Sequence, residues 1–186
     1  MSRVQIVDPK TAPAPARDLL AAVQAQLGVT PNFIRVLANS PKALEGFLGL
    51  YGAASGFALD KATQERIALA VAEGNACQYC VSAHTAIGRH VGLTNDEMAL
   101  NRRGGSGQAR AAAVVAFAKA LNDNRGEVTT AEFEAARAAG LTDGELVEVI
   151  AVVALNVFTN LLGKATRVEI DFPKVELLGS PVKAAA

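Results

Sequence analysis

Two cysteines and one of two histidines stand together in a chain of 186 residues with no other cysteine: Cys77, Cys80 and His84, spaced C-x-x-C-x-x-x-H. The stretch reads as helix. Each helical residue advances about 100°, so with Cys77 at zero Cys80 falls near −60° and His84 near −20°. Two thiols and an imidazole then share one narrow face. His84 lies one turn beyond Cys80, the spacing at which side chains touch. The thiolate, rather than the thiol, is the nucleophile, and a helix N-terminus and a nearby imidazole both favour it. His84 is placed to take or hold the Cys80 proton. This is a pattern for redox or nucleophilic sulfur chemistry.

A proton shuttle needs a carboxylate, and two compete. On one unbroken helix Glu73 lies at roughly −40°, on the cysteine face, and Glu65 at roughly −120°, off it. Gly74-Asn75 is a helix-stop signal. A break there makes two independent helices and lets Glu65 fold back, leaving Glu73 as a solvated end-of-helix carboxylate. We prefer Glu65 for that reason and keep Glu73 as the alternative.

Other readings of the same residues are weaker. Cys77, Cys80, His84 and His90 total four metal-ligand types, but structural zinc draws its ligands from separated elements. One helix cannot wrap a tetrahedral ion with all four, so we expect no metal and no other cofactor. His90, near the helix end, reads as a surface residue favoured by the helix dipole. Cysteine can also be a small buried hydrophobe and histidine a satisfied core residue; the joint spacing argues against both. Tyr79 either lines the pocket or packs.

Lys plus Arg equals Asp plus Glu, 18 each, and 51% of residues are hydrophobic. The basic residues are scattered, so neither nucleic acid nor an acidic membrane surface is expected as a partner. The N-terminus is polar, without the apolar run of a signal peptide. A cytoplasmic home is expected, where a closely spaced cysteine pair means redox chemistry or metal more often than a structural disulfide. The apolar run Leu146 to Leu162 is short for a membrane span and carries Glu148, Asn156, Thr159 and Asn160. It reads as a buried central or subunit-interface helix, its asparagines bonded to neighbouring helices.

The surrounding elements are all helical. Residues 1–15, with Pro9, Pro13 and Pro15, read as an extended arm. Helices are expected over Arg17 to Leu27, over Asn32 to Ala38 with Thr30 as N-cap and Pro31 at the first helical position, and over Pro41 to about Ser55 after Ser40. Asp60 caps the next, Lys61 to Glu73, and the Cys77 helix runs to about Val91. Thr94/Glu97, Thr129/Glu132 and Thr142/Glu145 are capping-box pairs. The first and third follow a Gly-Leu pair 48 residues apart, a spacing that fits either a duplicated unit or chance. Ala109 to Leu121 is an alanine-rich helix. Val168 to Asp171 is the one candidate strand, and the tail from Pro173 reads as extended, fraying at Ala184 to Ala186. The expected architecture is one all-α domain, residues 1–186, of about eight helices, with no thioredoxin-type βαβ scaffold under the C-x-x-C.

These residues resemble the carboxymuconolactone decarboxylase-like family, and within it the alkyl hydroperoxidase D and peroxidase-related branch. That branch carries a glutamate, eleven residues, then C-x-x-C-x-x-x-H, matched here by Glu65, Cys77, Cys80 and His84. Pro31-Asn32-Phe33, Ser40-Pro41, Asn156 to Asn160 and Asp171-Phe172-Pro173 resemble its flanking segments, so most of residues 28–175 is covered. The alkyl hydroperoxidase D prototype has a histidine before the second cysteine. This chain has Tyr79, and an aromatic residue is common there in the peroxidase-related branch. The resemblance implies an antioxidant thiol-dependent hydroperoxidase with Cys80 attacking, Cys77 resolving and Glu65 shuttling protons near Cys77. It also implies a homo-oligomer and a thiol or dithiol reductant such as a lipoyl domain. The alternative is a non-catalytic redox sensor or interaction module using the same cysteine pair.

Overall fold

The computed structural model describes residues 1–179; the expected fraying of Ala184 to Ala186 lies outside the described residues. The described residues form nine α-helices and one 3-10 turn, with no β-strand. They are α1 (Ala14–Leu27), α2 (Asn32–Leu37), α3 (Pro41–Ala53), α4 (Lys61–Gly74), α5 (Gln78–His90), α6 (Asn95–Arg102), α7 (Ala109–Asp123), α8 (Thr130–Ala138) and α9 (Asp143–Thr166). The 3-10 turn, Ala54–Gly56, follows α3 directly. The all-α class is as expected, with one helix more than the pattern indicated.

Local side-chain chemistry starts most of these helices. Ser40, Asp60, Thr94, Thr129 and Thr142 each accept a hydrogen bond from the backbone N–H three residues on, satisfying a donor the helix leaves free. Thr129/Glu132 and Thr142/Glu145 form complete capping boxes. Thr94/Glu97 does not: Glu97 turns instead to Arg66 (2.8 Å), Asn101, Ser106 and the Gly107 N–H. The resemblance between the Thr94 and Thr142 turns therefore stops at the threonine.

Helix α4 is the hub, packed against α5, α6, α7 and α9. Ile67, Leu69, Val71 and Ala72 are fully buried on it, each larger side chain contributing about 1.5–3 kcal/mol by leaving water. One core joins α4 to α7, α8 and α9 through Ile67, Val114, Phe117, Leu146 and Val149. A second joins α1 and α2 to α5 around Leu20, Phe33, Val36 and Val81. Helix α9 is long and apolar enough to cross a membrane, with half of its most apolar stretch buried inside the fold.

Both ends of the described residues are tied down. Arg3 N–H donates to Thr166 C=O (2.7 Å), and the Arg35 side chain donates to Val7 C=O (2.8 Å). At the other end residues 168–178 form an extended strap with no strand pairing, so the short strand expected at Val168 to Asp171 is absent. Its polar groups bond to helices instead. Asp171 accepts from the Asn32 N–H (2.7 Å) and from the Tyr79 hydroxyl (2.9 Å). Val175 N–H donates to Ser82 (3.1 Å), and Leu178 N–H to Glu73 (2.7 Å). Thr30 is not the cap of α2: the N-cap residue is Pro31, and the carboxylate at that helix end comes from Asp171.

Candidate active site

The turn from α4 to α5 places the cysteines. Helix α4 stops at Gly74 as the Gly-Asn signal predicts, and Ala76 then adopts φ 49°. A left-handed alanine is unfavourable by roughly 1–2 kcal/mol, and the surroundings hold it. Asn75 donates to Asn122 on α7 (2.8 Å) and to Asn160 on α9 (3.0 Å), while Lys164 donates to the Asn75 carbonyl (2.6 Å). Helices α7 and α9 thus clamp the turn. Asn160 makes the inter-helix bond expected of it; Asn156 instead donates to Val152 C=O in its own helix (2.9 Å) and borders the cavity described below.

Cys77 is therefore not inside the helix, as the single-face reading expected, but is the N-cap of α5. Its Sγ accepts from the Cys80 N–H (3.4 Å), and the two sulfurs are joined as a disulfide. Both residues are buried, at 1% and 3% exposure. Helix α9 approaches closely at Gly163, where a Cβ would stand 3.2 Å from Cys77 Sγ and 3.6 Å from Cys80 Sγ. A methyl group there would fit only if Cys77 Sγ gave way by a few tenths of an ångström.

His84 Nδ1 lies 2.8 Å from Glu65 Oε2, with the two side chains only 19% and 15% exposed. Glu65 does fold back, and its partner is His84. Glu73 is engaged elsewhere: it pairs with Arg102 (2.8 Å) and receives Leu178 N–H, anchoring the strap. His90 is the exposed last residue of α5, away from the other three metal-ligand types.

Cys80, His84 and Glu65 border one cavity of about 150 Å³. Cys77 does not border it. The rest of the wall is mostly apolar and aromatic, with Phe33, Phe47, Tyr51, Tyr79 and Phe172 among its residues. Phe47 packs edge-on against Phe33 and stacks on Tyr51 (centroids 5.3 and 5.7 Å). Burial, with the Glu65 charge adding to it, raises the Tyr51 phenol above its ordinary range, so that residue remains a neutral hydroxyl. Tyr79 both lines the cavity and packs. Burial pushes its phenol well up, and the Asp171 carboxylate acts the same way against the Phe33 N–H. Its proton is committed to Asp171 and its oxygen accepts from Phe33 N–H (3.1 Å). Tyr79 is thus a clamp between α5, α2 and the strap. Sequence reasoning did not single out Tyr51 or Gly163, since their roles arise from α3 and α9 packing over α5.

Residues 41–123, spanning α3 to α7 with Glu65, Cys77, Cys80 and His84, match the model of the carboxymuconolactone decarboxylase family. Those residues are carboxymuconolactone decarboxylase-like. Among solved structures it is similar to an alkylhydroperoxidase AhpD core, an uncharacterized peroxidase-related protein from Ralstonia eutropha JMP134. That likeness has 28% identity and a TM-score of 0.80, covering 91% of this chain and 92% of the other. A peroxidase-related protein from Silicibacter sp. TM1040 gives 24% identity and TM-score 0.80 over 96% and 94%. The debrominase Bmp8, in complex with 2,3,4-tribromopyrrole, shares the fold at 19% identity and TM-score 0.78 over 92% of each chain. No curated protein matches the sequence significantly. The carboxymuconolactone decarboxylase-like fold thus carries more than one chemistry, and the choice among them lies in the site.

Proposed function

We propose that this protein is a thiol-dependent hydroperoxidase of antioxidant defence. The observation that supports it is the meeting of Cys80 with the Glu65–His84 pair at one apolar cavity. In the reduced form the Cys80 thiolate attacks the outer peroxide oxygen. The S–O bond forms as O–O breaks, leaving a Cys80 sulfenic acid and an alkoxide that takes a proton. The His84–Glu65 pair is suited to removing the thiol proton and returning one to the leaving oxygen. Cys77 then attacks the Cys80 sulfur, expels water and gives the disulfide, and a thiol or dithiol reductant restores both thiols.

The apolar and aromatic cavity wall favours an organic hydroperoxide over hydrogen peroxide. A lipoyl domain is one suitable reductant, and no cofactor takes part. Homo-oligomerisation is part of the proposal, since α9 exposes Val147, Ile150, Phe158 and Leu161. Phe158, with Ala154 and Leu155, also lines a shallow groove completed by Ala43, Gly46, Phe47 and Leu50 of α3. The location proposed is cytoplasmic, with no nucleic-acid or membrane partner.

The test is consumption of cumene hydroperoxide by the reduced chain with dithiol reductants, including a lipoyl domain. Catalytic turnover is expected. One equivalent consumed without turnover, with a change of assembly on oxidation, would make the chain a redox sensor instead.

A further inference from the structure

The two sulfurs of the disulfide are not equivalent, and the difference concerns how the pair is reset. Cys80 borders the cavity and Cys77 does not. Cys77 is 1% exposed, and its Sγ lies against α9 at Gly163, where an added Cβ would come within 3.2 Å of it. The first turn of α5 is covered by the strap: Gln78 donates to Val175 C=O and Glu176, Tyr79 to Asp171, and Ser82 receives Val175 N–H. A thiolate that attacks a disulfide must reach one sulfur from outside and expel the other.

We propose that the reductant attacks Cys80, through the cavity, and expels Cys77. This deepens the peroxidase reading, on which its place in a cycle rests, by naming the sulfur at which the reductant enters. The incoming thiolate sulfur bonds to Cys80 Sγ as the Cys77–Cys80 bond breaks, and the electron pair leaves on Cys77 as thiolate. The N-cap position suits that leaving group. Cys77 Sγ already accepts the Cys80 N–H, and the positive end of α5 stabilises a negative charge there. A second reductant thiolate then attacks the reductant sulfur of the mixed disulfide and releases Cys80. The reductant leaves oxidised by two electrons, and the two protons from its thiols restore Cys77 and Cys80. Cys80 therefore meets both the peroxide and the reductant, and Cys77 meets neither. This is opposite to the arrangement in which the N-terminal cysteine of a C-x-x-C pair is the exposed one. The reductant must present a thiol slim enough to enter the cavity.

The test needs no peroxide. The oxidised full-length chain is mixed with 2-mercaptoethanol, quenched in acid within the first turnover and alkylated with N-ethylmaleimide. Tandem mass spectrometry then locates each adduct. Mercaptoethanol on Cys80 with maleimide on Cys77, in at least tenfold excess over the reverse, is the expected result. The reverse pattern, an even split, or a pair that stays oxidised under excess thiol while the chain remains folded would each overturn the proposal. Filling the cavity with Ile87→Trp should slow reduction by tenfold or more; an unchanged rate in a folded variant also overturns it. A chain that gives the Cys80 adduct but consumes no peroxide keeps this inference and loses the peroxidase reading. Turnover with the adduct on Cys77 does the opposite.

Discussion

The Tyr79 hydroxyl donates to Asp171, 92 residues further along the chain, at 2.9 Å. The same carboxylate receives the first free N–H of α2 at Asn32. One part-buried carboxylate therefore joins the helix that carries Cys80, a helix that walls the cavity and the strap that closes over both. Tyr79→Phe removes the hydroxyl while keeping the ring. We expect a loss of about 1–2 kcal/mol of stability by urea unfolding and peroxide turnover within a few-fold of the parent. A turnover loss of a hundredfold or more at full stability would restore Tyr79 to the proton path.

The two glutamates weighed for the shuttle should separate cleanly. Glu65→Gln leaves His84 without its carboxylate and is expected to slow turnover by roughly 10²-fold or more, the scale of general acid–base catalysis. Glu73→Gln loosens Arg102 and Leu178. It should leave turnover nearly unchanged while making residues 173–178 more sensitive to limited proteolysis. Equal activity losses in the two variants would contradict the assignment.

The cysteines should fail differently toward peroxide. Cys77→Ser keeps Cys80 at the cavity and should react once, giving a sulfenic acid that a carbonyl nucleophile traps and that over-oxidises without its partner. Cys80→Ser should consume none. A trapped adduct on Cys77 in the second variant would reverse the roles.

Acid stability should depend on Glu97. Burial pushes its carboxyl up, but hydrogen bonds from Ser106, Gly107, Arg66 and Asn101 outweigh this and hold it at about 2, below its ordinary 4.5. A lowered folded-state value means the stabilisation is present above pH 4.5 and is lost as pH falls toward 2. The stability gap between the parent and Glu97→Gln should be wide at pH 7, shrink below pH 4.5 and close near pH 2. Urea midpoints measured across that range check it; a gap independent of pH would refute it.

What could be read from the chain was what nearby residues decide. Ser40, Asp60, Thr129 and Thr142 start their helices through bonds three residues long, and Gly74-Asn75 stops α4, so helix order and the folding back of Glu65 followed. Cys80 and His84 are one turn apart on a helix that forms as expected. Cys77 was misplaced because Ala76 takes a left-handed conformation that alanine does not advertise; only the Asn75–Asn122–Asn160 clamp explains it. The cap of α2 could not be found locally, since its carboxylate comes from Asp171. Glu97 looked like half of a capping box because nothing near it in sequence announces Arg66 or Ser106. Tyr51 and Gly163 belong to the site through the packing of α3 and α9 alone.

Gly163 has a consequence for anyone who would improve this protein. In the last turns of a 24-residue helix a glycine is a weak point, about 1 kcal/mol worse than alanine. A thermostability screen guided by helix propensity would replace it early. The methyl group would enter the space beside Cys77, leaving little slack for sulfurs that must part and rejoin. Variants selected for heat resistance alone would then drift toward rigid chains with an impaired redox centre. That glycine is the one such a programme should leave untouched.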